Sequence, residues 1–450
     1  MDTSVRKNTV GRFLQGQYLV ALISCVVIAL SVVFAKRRPF FFPIETQLYF
    51  ASVITVLWGL FVVGWIIAKR RIFDLPQMLR EAWPLLVYYA LSMLLLGVAL
   101  IREQFSSAIL HMTFNYWVLY PAVPLAWFMG KAGSSQLRKL MPIFILCLTT
   151  FGFILCLGQL FQDLGHTNII GDLLVWFHNV NLPLDSWIWT PGEALRLTGY
   201  SFDPNYFAVF VLTGIVWALC GHDRIVIRAL VFVESCFMLY YSASRGVLLA
   251  FLLVVLACLI GYRHRLVTKV KEDLSTIQGR VLITGLVSVV IVAVLGLGFL
   301  AVKSDMSSMV SRVGTSVVAI RQHGLTADTL DTLSNGRGEL WVSALRLIKA
   351  RPLGYWRVER QLSAKSFHND YLVAWLCGGP VLFLSFIVML IWMGRLRVPS
   401  AQRVLPFALM IVCVVTGFFY NIFQFGAVLP LVFFVLGAYS ITGKRVSTHG

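Results

Sequence analysis

The feature that most constrains this chain is the recurrence of apolar runs of about 18 or more residues along its whole length. A helix of that length crosses roughly 30 Å of hydrocarbon. Hydrophobic residues make up 58% of the 450 residues and charged residues only 13%, so a water-soluble surface could not be covered. The runs are apolar on every face and lack the alternation of membrane strands. The sequence therefore predicts an all-α polytopic membrane protein.

About twelve transmembrane helices can be drawn, forming a single transmembrane domain over residues 1–450. The approximate spans are 18–35, 46–68, 82–101, 108–129, 140–160, 204–221, 225–241, 246–262, 281–302, 371–393, 404–421 and 424–441. With both termini cytoplasmic, 22 Lys and Arg fall in the inside segments and five in the short outside loops, as the positive-inside rule favours. The net charge of +18 is therefore attributed to topology, and no nucleic-acid partner is expected.

Two long connections, residues 161–203 and 303–370, fall on the outer side in this topology. Loops of such length usually carry function. The second is predicted to contain an amphipathic helix that Pro352 ends. Its apolar residues at helical spacing are Leu340, Trp341, Ala344, Leu345 and Ile348. Two placements stay open: the helix lies along the membrane surface, or it packs on the bundle.

Motifs that bind metals or nucleotides are missing from the sequence. It contains no HExxH, no Cys or His cluster at zinc spacing, no Walker-type glycine loop and no DxD. We therefore expect no metal and no cofactor. The energy for a reaction would then reside in an activated, lipid-linked substrate among the membrane lipids.

Two outer segments could bind phosphate. The first runs from Arg196 to Tyr206, where Asp203 and Asn205 flank Pro204 as at a capped helix start. The second is Ser242–Gly246, in which hydroxyls flank Arg245. A guanidinium fork can hold phosphate in two hydrogen bonds. The simpler interpretations are helix capping for the first segment and snorkelling to lipid phosphate for Arg245.

Two further outer segments precede or begin helices. Residues 335–341 contain Arg337 and Trp341, and Arg337 either orients substrate or anchors the helix. Residues 367–372 read Phe-His-Asn-Asp-Tyr-Leu. A neutral imidazole at His368, near a helix N-terminus, could take a proton from an attacking hydroxyl, with Asn369 or Asp370 orienting the ring. A purely structural His368 is the plainer alternative.

The order of these motifs, RLTGYSFDPNYFA, SASRGVLLAF, GRGELWVSALRLIKARPLG and HNDYLVAWLCGG, resembles the O-antigen ligase and O-antigen polymerase superfamily of bacterial envelope enzymes. The pattern covers roughly residues 196–381. His368, Asn369 and Gly379 fit the ligase signature of His, then Asn, Ser or Gln, then nine residues and Gly. Leu382 stands where ligases commonly have another Gly.

The resemblance implies an inverting, metal-independent glycosyl transfer at the periplasmic face of the bacterial inner membrane. Arg196 and Arg245 would bind the diphosphate of an undecaprenyl-diphosphate-linked glycan, and His368 would be the base or positioning group for the acceptor hydroxyl. In a ligase the acceptor is the lipid A core. The supporting residues that the resemblance suggests are Asn205, Arg337, Trp341, Asn369, Asp370 and Tyr371.

Three other functions stay open at this point. A polymerase would use a second lipid-linked repeat unit as acceptor. A polysaccharide-lipid transporter would show midspan acids and repeated halves, whereas the sequence offers only Glu234 and no repeat. The last alternative is a noncatalytic scaffold or channel for polysaccharide export.

Overall fold

The structure, a computed structural model, is helical wherever regular structure occurs in the residues that it describes. Those residues are 3–33, 50–69, 73–102, 107–163, 204–221, 224–242, 244–275, 321, 337–357, 362, 367–420, 422–425 and 429–441. The helices are α1 (Thr3–Val33), α2 (Phe50–Ala68), α3 (Leu75–Arg102), α4 (Ser107–Ala132), α5 (Ser134–Asp163), α6 (Pro204–Cys220), α7 (Ile225–Ser242), α8 (Arg245–Ser275), α9 (Gly338–Ala350), α10 (Asp370–Arg395), α11 (Leu405–Phe419), α12 (Ile422–Phe425) and α13 (Leu429–Tyr439). A 3₁₀ turn, Ser400–Gln402, precedes α11.

Six stretches of helix in the described residues are long and apolar enough to cross a membrane. They are Gly16–Val33, Leu75–Arg102, Ser134–Gln159, Ile225–Ser242, Asp370–Arg395 and Ser400–Phe419. Shorter apolar helices accompany them, so the chain is a multi-pass membrane protein. Every predicted span except 281–302 and 424–441 coincides with a helix, and 281–302 lies outside the described residues. The predicted span 424–441 differs, because the short α12 and the eleven-residue α13 occupy it.

The centre of the bundle is the packing of α4 against α13, whose residues are all buried. Gly130 and Gly437 lie at this crossing, where an added Cβ on Gly130 would meet the Phe434 carbonyl and one on Gly437 the Trp127 carbonyl. Small residues allow helix backbones to approach closely inside a membrane, where van der Waals packing replaces the hydrophobic effect between helices. A second packed group, α6, α8, α10 and α11, lies around α11.

Hydrogen bonds define two ends of the bundle. At the end that we call the site end, Arg102 closes α3, α10 begins at Asp370 and α11 finishes at Phe419. At the opposite end, the Lys131 ammonium donates to the Glu81 carboxylate (2.8 Å) and to the Ser440 hydroxyl (3.1 Å). Helix α10 therefore runs from one end to the other, over roughly 39 Å at about 1.5 Å per residue.

The helix predicted within the second long loop is α9, and Arg351 caps it directly before Pro352. It packs against α10, and Ala344 is fully buried. Leu345, predicted to belong to the apolar face, is 55% exposed, as is Val342 at 46%. The helix thus packs on the bundle on one side and presents apolar groups beside Arg346 and Lys349 on the other. Packing on the bundle is therefore observed, and placement along the membrane surface stays a prediction.

Helix α10 is broken at Gly379, which has φ +68°, and Pro380 follows it. Proline has no N–H to donate to the Leu376 carbonyl, so the break leaves carbonyl groups in need of donors. The chain after α9 supplies them: Tyr355 N donates to Leu376 O (2.8 Å) and Trp356 N to Cys377 O (2.7 Å). Gly354, also in the left-handed region at φ +82°, lies against the Gly379 backbone, where a Cβ on either residue would collide. Backbone groups therefore join residues 354–356 to the break in α10.

Candidate active site

The His368 segment leads into α10 through an N-cap. Asn369 has an extended backbone, and its side-chain oxygen accepts from Tyr371 N (3.1 Å) and Leu372 N (3.0 Å). His368, one residue earlier, is half-buried and has φ +50°, in the left-handed region. Since the Asn369 oxygen is engaged in capping, an orienting contact to the imidazole would have to come from its amide nitrogen. Asn369 thus has a structural role that fixes where His368 stands.

Asp370 is the first residue of α10 and is only 3% exposed. Its Oδ2 accepts a hydrogen bond from Phe423 N (3.1 Å), at the start of α12. It also lies over Gly417 of α11, where an added Cβ would stand 3.2 Å from Oδ2. The Tyr371 hydroxyl donates to Val414 O of α11 (3.0 Å). The predicted supporting residues Asp370 and Tyr371 therefore fasten the start of α10 to α11 and α12.

Arg337 lies at the start of α9 and reaches across to the end of α11. Its guanidinium donates to the Phe419 carbonyl and lies 5.0 Å from the centre of the Tyr420 ring, a cation–π distance. Such contacts restrain the guanidinium plane, since one donor and one face are occupied. These contacts are the ones expected of the anchoring role for this arginine.

The Ser242–Gly246 segment, between α7 and α8, also contacts the end of α11, at Phe419 and Tyr420. Ser244 is 1% exposed, and its hydroxyl is 2.8 Å from the Tyr420 hydroxyl. Gly246 lies against the Phe419 ring, which an added Cβ would approach to 2.8 Å. Arg245 stands between these two contacts as the first residue of α8, so its backbone is held at the site end. The Arg245 side chain lies outside the described part of the chain.

Trp341 joins α9 to the His368 segment. Its indole N–H donates to the Phe367 carbonyl (3.0 Å), the peptide that leads into His368. Its ring packs edge-on against Phe418, with centroids 5.1 Å apart. The partly buried indole N–H thus finds its hydrogen-bond acceptor in the backbone beside the candidate base.

Residues 418–420, which we call the aromatic junction, are what the sequence analysis missed. Phe418 contacts the rings of Trp341 and Tyr371 (centroids 5.1 and 6.4 Å away), Phe419 O accepts from Arg337, and the Tyr420 hydroxyl lies against that of Ser244. Three separate motifs are therefore joined by a segment that none of them contains. The available signal was the aromatic Phe-Phe-Tyr run at the end of an apolar span, a place where amphipathic rings commonly meet the headgroup layer.

The first motif is only partly within the described residues. Arg196 and Asp203 lie outside them. Asn205 is half-buried in the first turn of α6. Near the other end of α6, the Trp217 indole donates to the Tyr439 hydroxyl (3.1 Å) beside Ser440, so Asn205 lies at the site end. The convergence of Arg196 with Arg245 and His368 stays a prediction.

The site end carries several exposed cations. Arg102 donates to the Tyr355 carbonyl (2.9 Å), and the Arg351 guanidinium lies 5.1 Å from the Tyr355 ring centre. Arg346 and Lys349 add charge along α9. An anionic substrate would be attracted to such a surface. Among the residues that the structure describes, no three His, Cys, Asp or Glu side chains are grouped as metal ligands.

Comparison with known proteins identifies one family. Residues 230–387 match the family model described as O-antigen ligase, which confirms the resemblance inferred from the motifs. The matched segment includes Ser244, Arg337 and His368 and excludes Arg196 and Asn205. No curated protein matches the chain. The match covers residues 230–387 of a 450-residue chain, less than half of it, and shows similarity to that family over this segment.

Proposed function

We propose, taking the O-antigen ligase match of residues 230–387 as the premise, that the protein transfers an O-antigen glycan from undecaprenyl diphosphate to a sugar hydroxyl of lipid A core. The reaction would be inverting and metal-independent, at the periplasmic face of the bacterial inner membrane. The observation that carries the proposal is the meeting of three motifs of the matched segment at the aromatic junction, through Ser244, Arg337 and Tyr371.

His368 is the proposed base. In this scheme the acceptor oxygen attacks the anomeric carbon, the bond from that carbon to the diphosphate oxygen breaks, and the acceptor proton passes to the imidazole. A base must stand within hydrogen-bond reach of that proton. The Asn369 cap, the Trp341 bond to Phe367 O and the buried Asp370 restrain the residues on both sides of His368.

Arg245, together with Arg196, is proposed to bind the diphosphate. The leaving group gains charge as the glycosidic bond breaks, and fixed guanidinium groups stabilise that charge without reorganisation. The contacts of Ser244 and Gly246 support this assignment, because they hold the Arg245 backbone next to the junction that also contacts Arg337. A polyprenyl donor would enter sideways from the bilayer.

The acceptor is proposed to dock along α9. Exposed Val342 and Leu345 lie beside Arg346 and Lys349, which is the arrangement that an interfacial helix uses toward acyl chains and phosphates. Lipid A core carries both groups. This surface leads through Trp341 to the His368 segment, so an acceptor sugar bound there would lie near the candidate base.

A polymerase is the second candidate, and one observation favours it. Leu382, where ligases commonly have Gly, is buried and packs on Gly378 within α10. In a polymerase the acceptor would be another lipid-linked repeat unit.

Product analysis separates these functions. The purified protein is given an undecaprenyl-diphosphate-linked glycan, either with lipid A core or alone, and products are resolved by electrophoresis and mass spectrometry. We expect glycosylated lipid A core in the first reaction and no elongation in the second. Elongated lipid-linked glycan would establish the polymerase, and the absence of both products would exclude glycosyl transfer.

A further inference from the structure

A cleft of about 900 Å³ opens at the opposite end of the bundle, away from the candidate active site. It lies between the start of α3, the end of α10 and the chain that follows α13. Its principal polar and aromatic lining residues are Arg80, Arg395, Arg397, Glu81, Trp83 and Trp392. No step of the proposed transfer uses it.

Hydrogen bonds hold the walls of this cleft together. The Trp392 indole donates to the Glu81 carbonyl (2.6 Å), which joins α10 to α3. Ile441 N donates to the Arg397 carbonyl (2.8 Å), and the Lys131 ammonium bridges Glu81 and Ser440. Preorganised walls reduce the ordering cost that a ligand would otherwise meet on binding.

The charge of the cleft is positive because its three arginines outnumber its two acids, and Lys131 neutralises one of those acids, Glu81. Glu81 pairs with Lys131, and Asp74 Oδ1 accepts from Gln77 N (3.1 Å) at the start of α3. Arg80, Arg395 and Arg397 are exposed, and within the part of the chain that the structure describes none of them forms an ion pair. Three guanidinium groups lining one cleft are therefore available for an anionic ligand.

The position of the cleft identifies the kind of anion. Helices α3 and α10 are both candidate membrane spans, and the cleft lies where the first begins and the second finishes, at the headgroup level. Trp83 is 53% exposed and Leu79, one turn earlier, is 44% exposed, so an apolar face of α3 leads away from the arginines. Exposed tryptophan is favoured at the membrane–water interface.

We propose that this cleft is a binding site for the phosphate of an anionic phospholipid headgroup, with Arg80, Arg395 and Arg397 as its cations and Trp83 beside the acyl chains. Phosphate is the chemistry that guanidinium forks recognise, and a free phosphate would share it. Because the apolar face of α3 with Leu79 and Trp83 adjoins the cleft, we infer that the phosphate belongs to a lipid. The excess of positive charge favours a headgroup with net negative charge over a zwitterionic one.

Lipid binding to the delipidated full chain tests the proposal. Native mass spectrometry would compare phosphatidylglycerol with phosphatidylcholine of the same acyl chains, for the wild type and for the Arg395→Gln/Arg397→Gln variant. We expect phosphatidylglycerol to bind the wild type preferentially and the variant about tenfold more weakly, because charge-assisted hydrogen bonds are lost. Arg395→Lys/Arg397→Lys should restore only part of the affinity, because an ammonium lacks the fork.

The matched control removes two exposed cations at the same end but outside the cleft, in Lys69→Gln/Lys139→Gln. It should bind phosphatidylglycerol as the wild type does. Equal losses in the two double variants, equal binding of the two lipids, or displacement of the lipid by an equal concentration of inorganic phosphate would each overturn the proposal. Because the readout is binding, it stands independently of the proposed transfer.

Discussion

The side chain of Asn369 caps the start of α10 and thereby helps to fix the position of the preceding residue, His368. Its oxygen accepts two backbone N–H groups of α10. Sequence reasoning identified the functional interest of this segment and proposed that Asn369 or Asp370 orients the imidazole; the structure adds the cap, and the orienting contact stays a prediction. Helix caps and ring-orienting amides have the same sequence appearance, since Asn serves both purposes.

Replacing His368 tests the base. His368→Ala should lower the rate of transfer by about 10²- to 10⁴-fold, the usual contribution of a general base, with donor binding retained. The measurement is turnover of lipid-linked glycan by purified protein. His264→Ala, in the portion of α8 near the opposite end, is the control and should keep wild-type turnover. Wild-type rates in both His368→Ala and His368→Gln would remove this residue from the mechanism.

Arg245 tests diphosphate binding. Arg245→Lys should reduce kcat/KM about 10- to 100-fold, because the ammonium keeps the charge but loses the bidentate fork. Steady-state kinetics with the lipid-linked donor measures this change. Arg138→Lys, at the opposite end, provides the control for the same replacement. Unchanged kinetics in Arg245→Lys would favour simple snorkelling to lipid phosphate.

The proposal that transfer needs no metal ion can be tested by chelation. Transfer should continue in EDTA, because the proposed stabilisation of the leaving diphosphate comes from guanidinium groups. The assay compares initial rates before and after chelation. Loss of activity that magnesium restores would contradict the scheme.

At the scale of elements, the break in α10 and the aromatic junction position the candidate site. The positions of the helices themselves were predictable, because each transmembrane run satisfies its own backbone and its hydropathy is local. The contacts of residues 354–356 with α10, and of Phe418 to Tyr420 with three motifs, are nonlocal. Neither has a periodic signal, although Gly-Gly-Pro at 378–380 does indicate an interrupted helix.

The break in α10 makes a stability prediction. Gly379→Ala should destabilise the protein by about 1–3 kcal/mol, because the residue has φ +68° and an added Cβ would meet the Leu353 carbonyl. Thermal unfolding of the purified protein measures the effect. Gly97→Ala, in the last two turns of α3, is the control, since nothing lies within 4 Å of its added Cβ. Equal melting temperatures of Gly379→Ala and the wild type would show that the left-handed backbone is dispensable.

At the scale of the whole molecule, the two proposed sites lie at opposite ends of the bundle. The site end combines the motif residues with exposed α9 cations, and the opposite end contains the arginine-lined cleft. Charge counting predicted which end faces the cytoplasm, but it could not predict that three arginines there line one cleft. Packing between helices far apart in sequence decides that arrangement.

Labelling tests the orientation. On a cysteine-free background, Arg346→Cys should react with a membrane-impermeant maleimide added from the periplasmic side, and Lys139→Cys should react only after the membrane is opened. Both positions are exposed and lie at different ends. The reverse pattern would place the candidate active site in the cytoplasm and contradict the proposed acceptor.

The joint between residues 354–356 and α10 uses main-chain donors and acceptors on both sides. Replacing the side chains of Tyr355, Trp356, Leu376 or Cys377 leaves those donors and acceptors in place. These hydrogen bonds therefore place no demand on the identity of the four side chains, whereas they require Gly354 and Gly379 to stay small. In distant homologues this backbone joint should persist even where the sequence similarity of the stretch has been lost. Gly354, Gly379 and Pro380 should then be the residues that identify it.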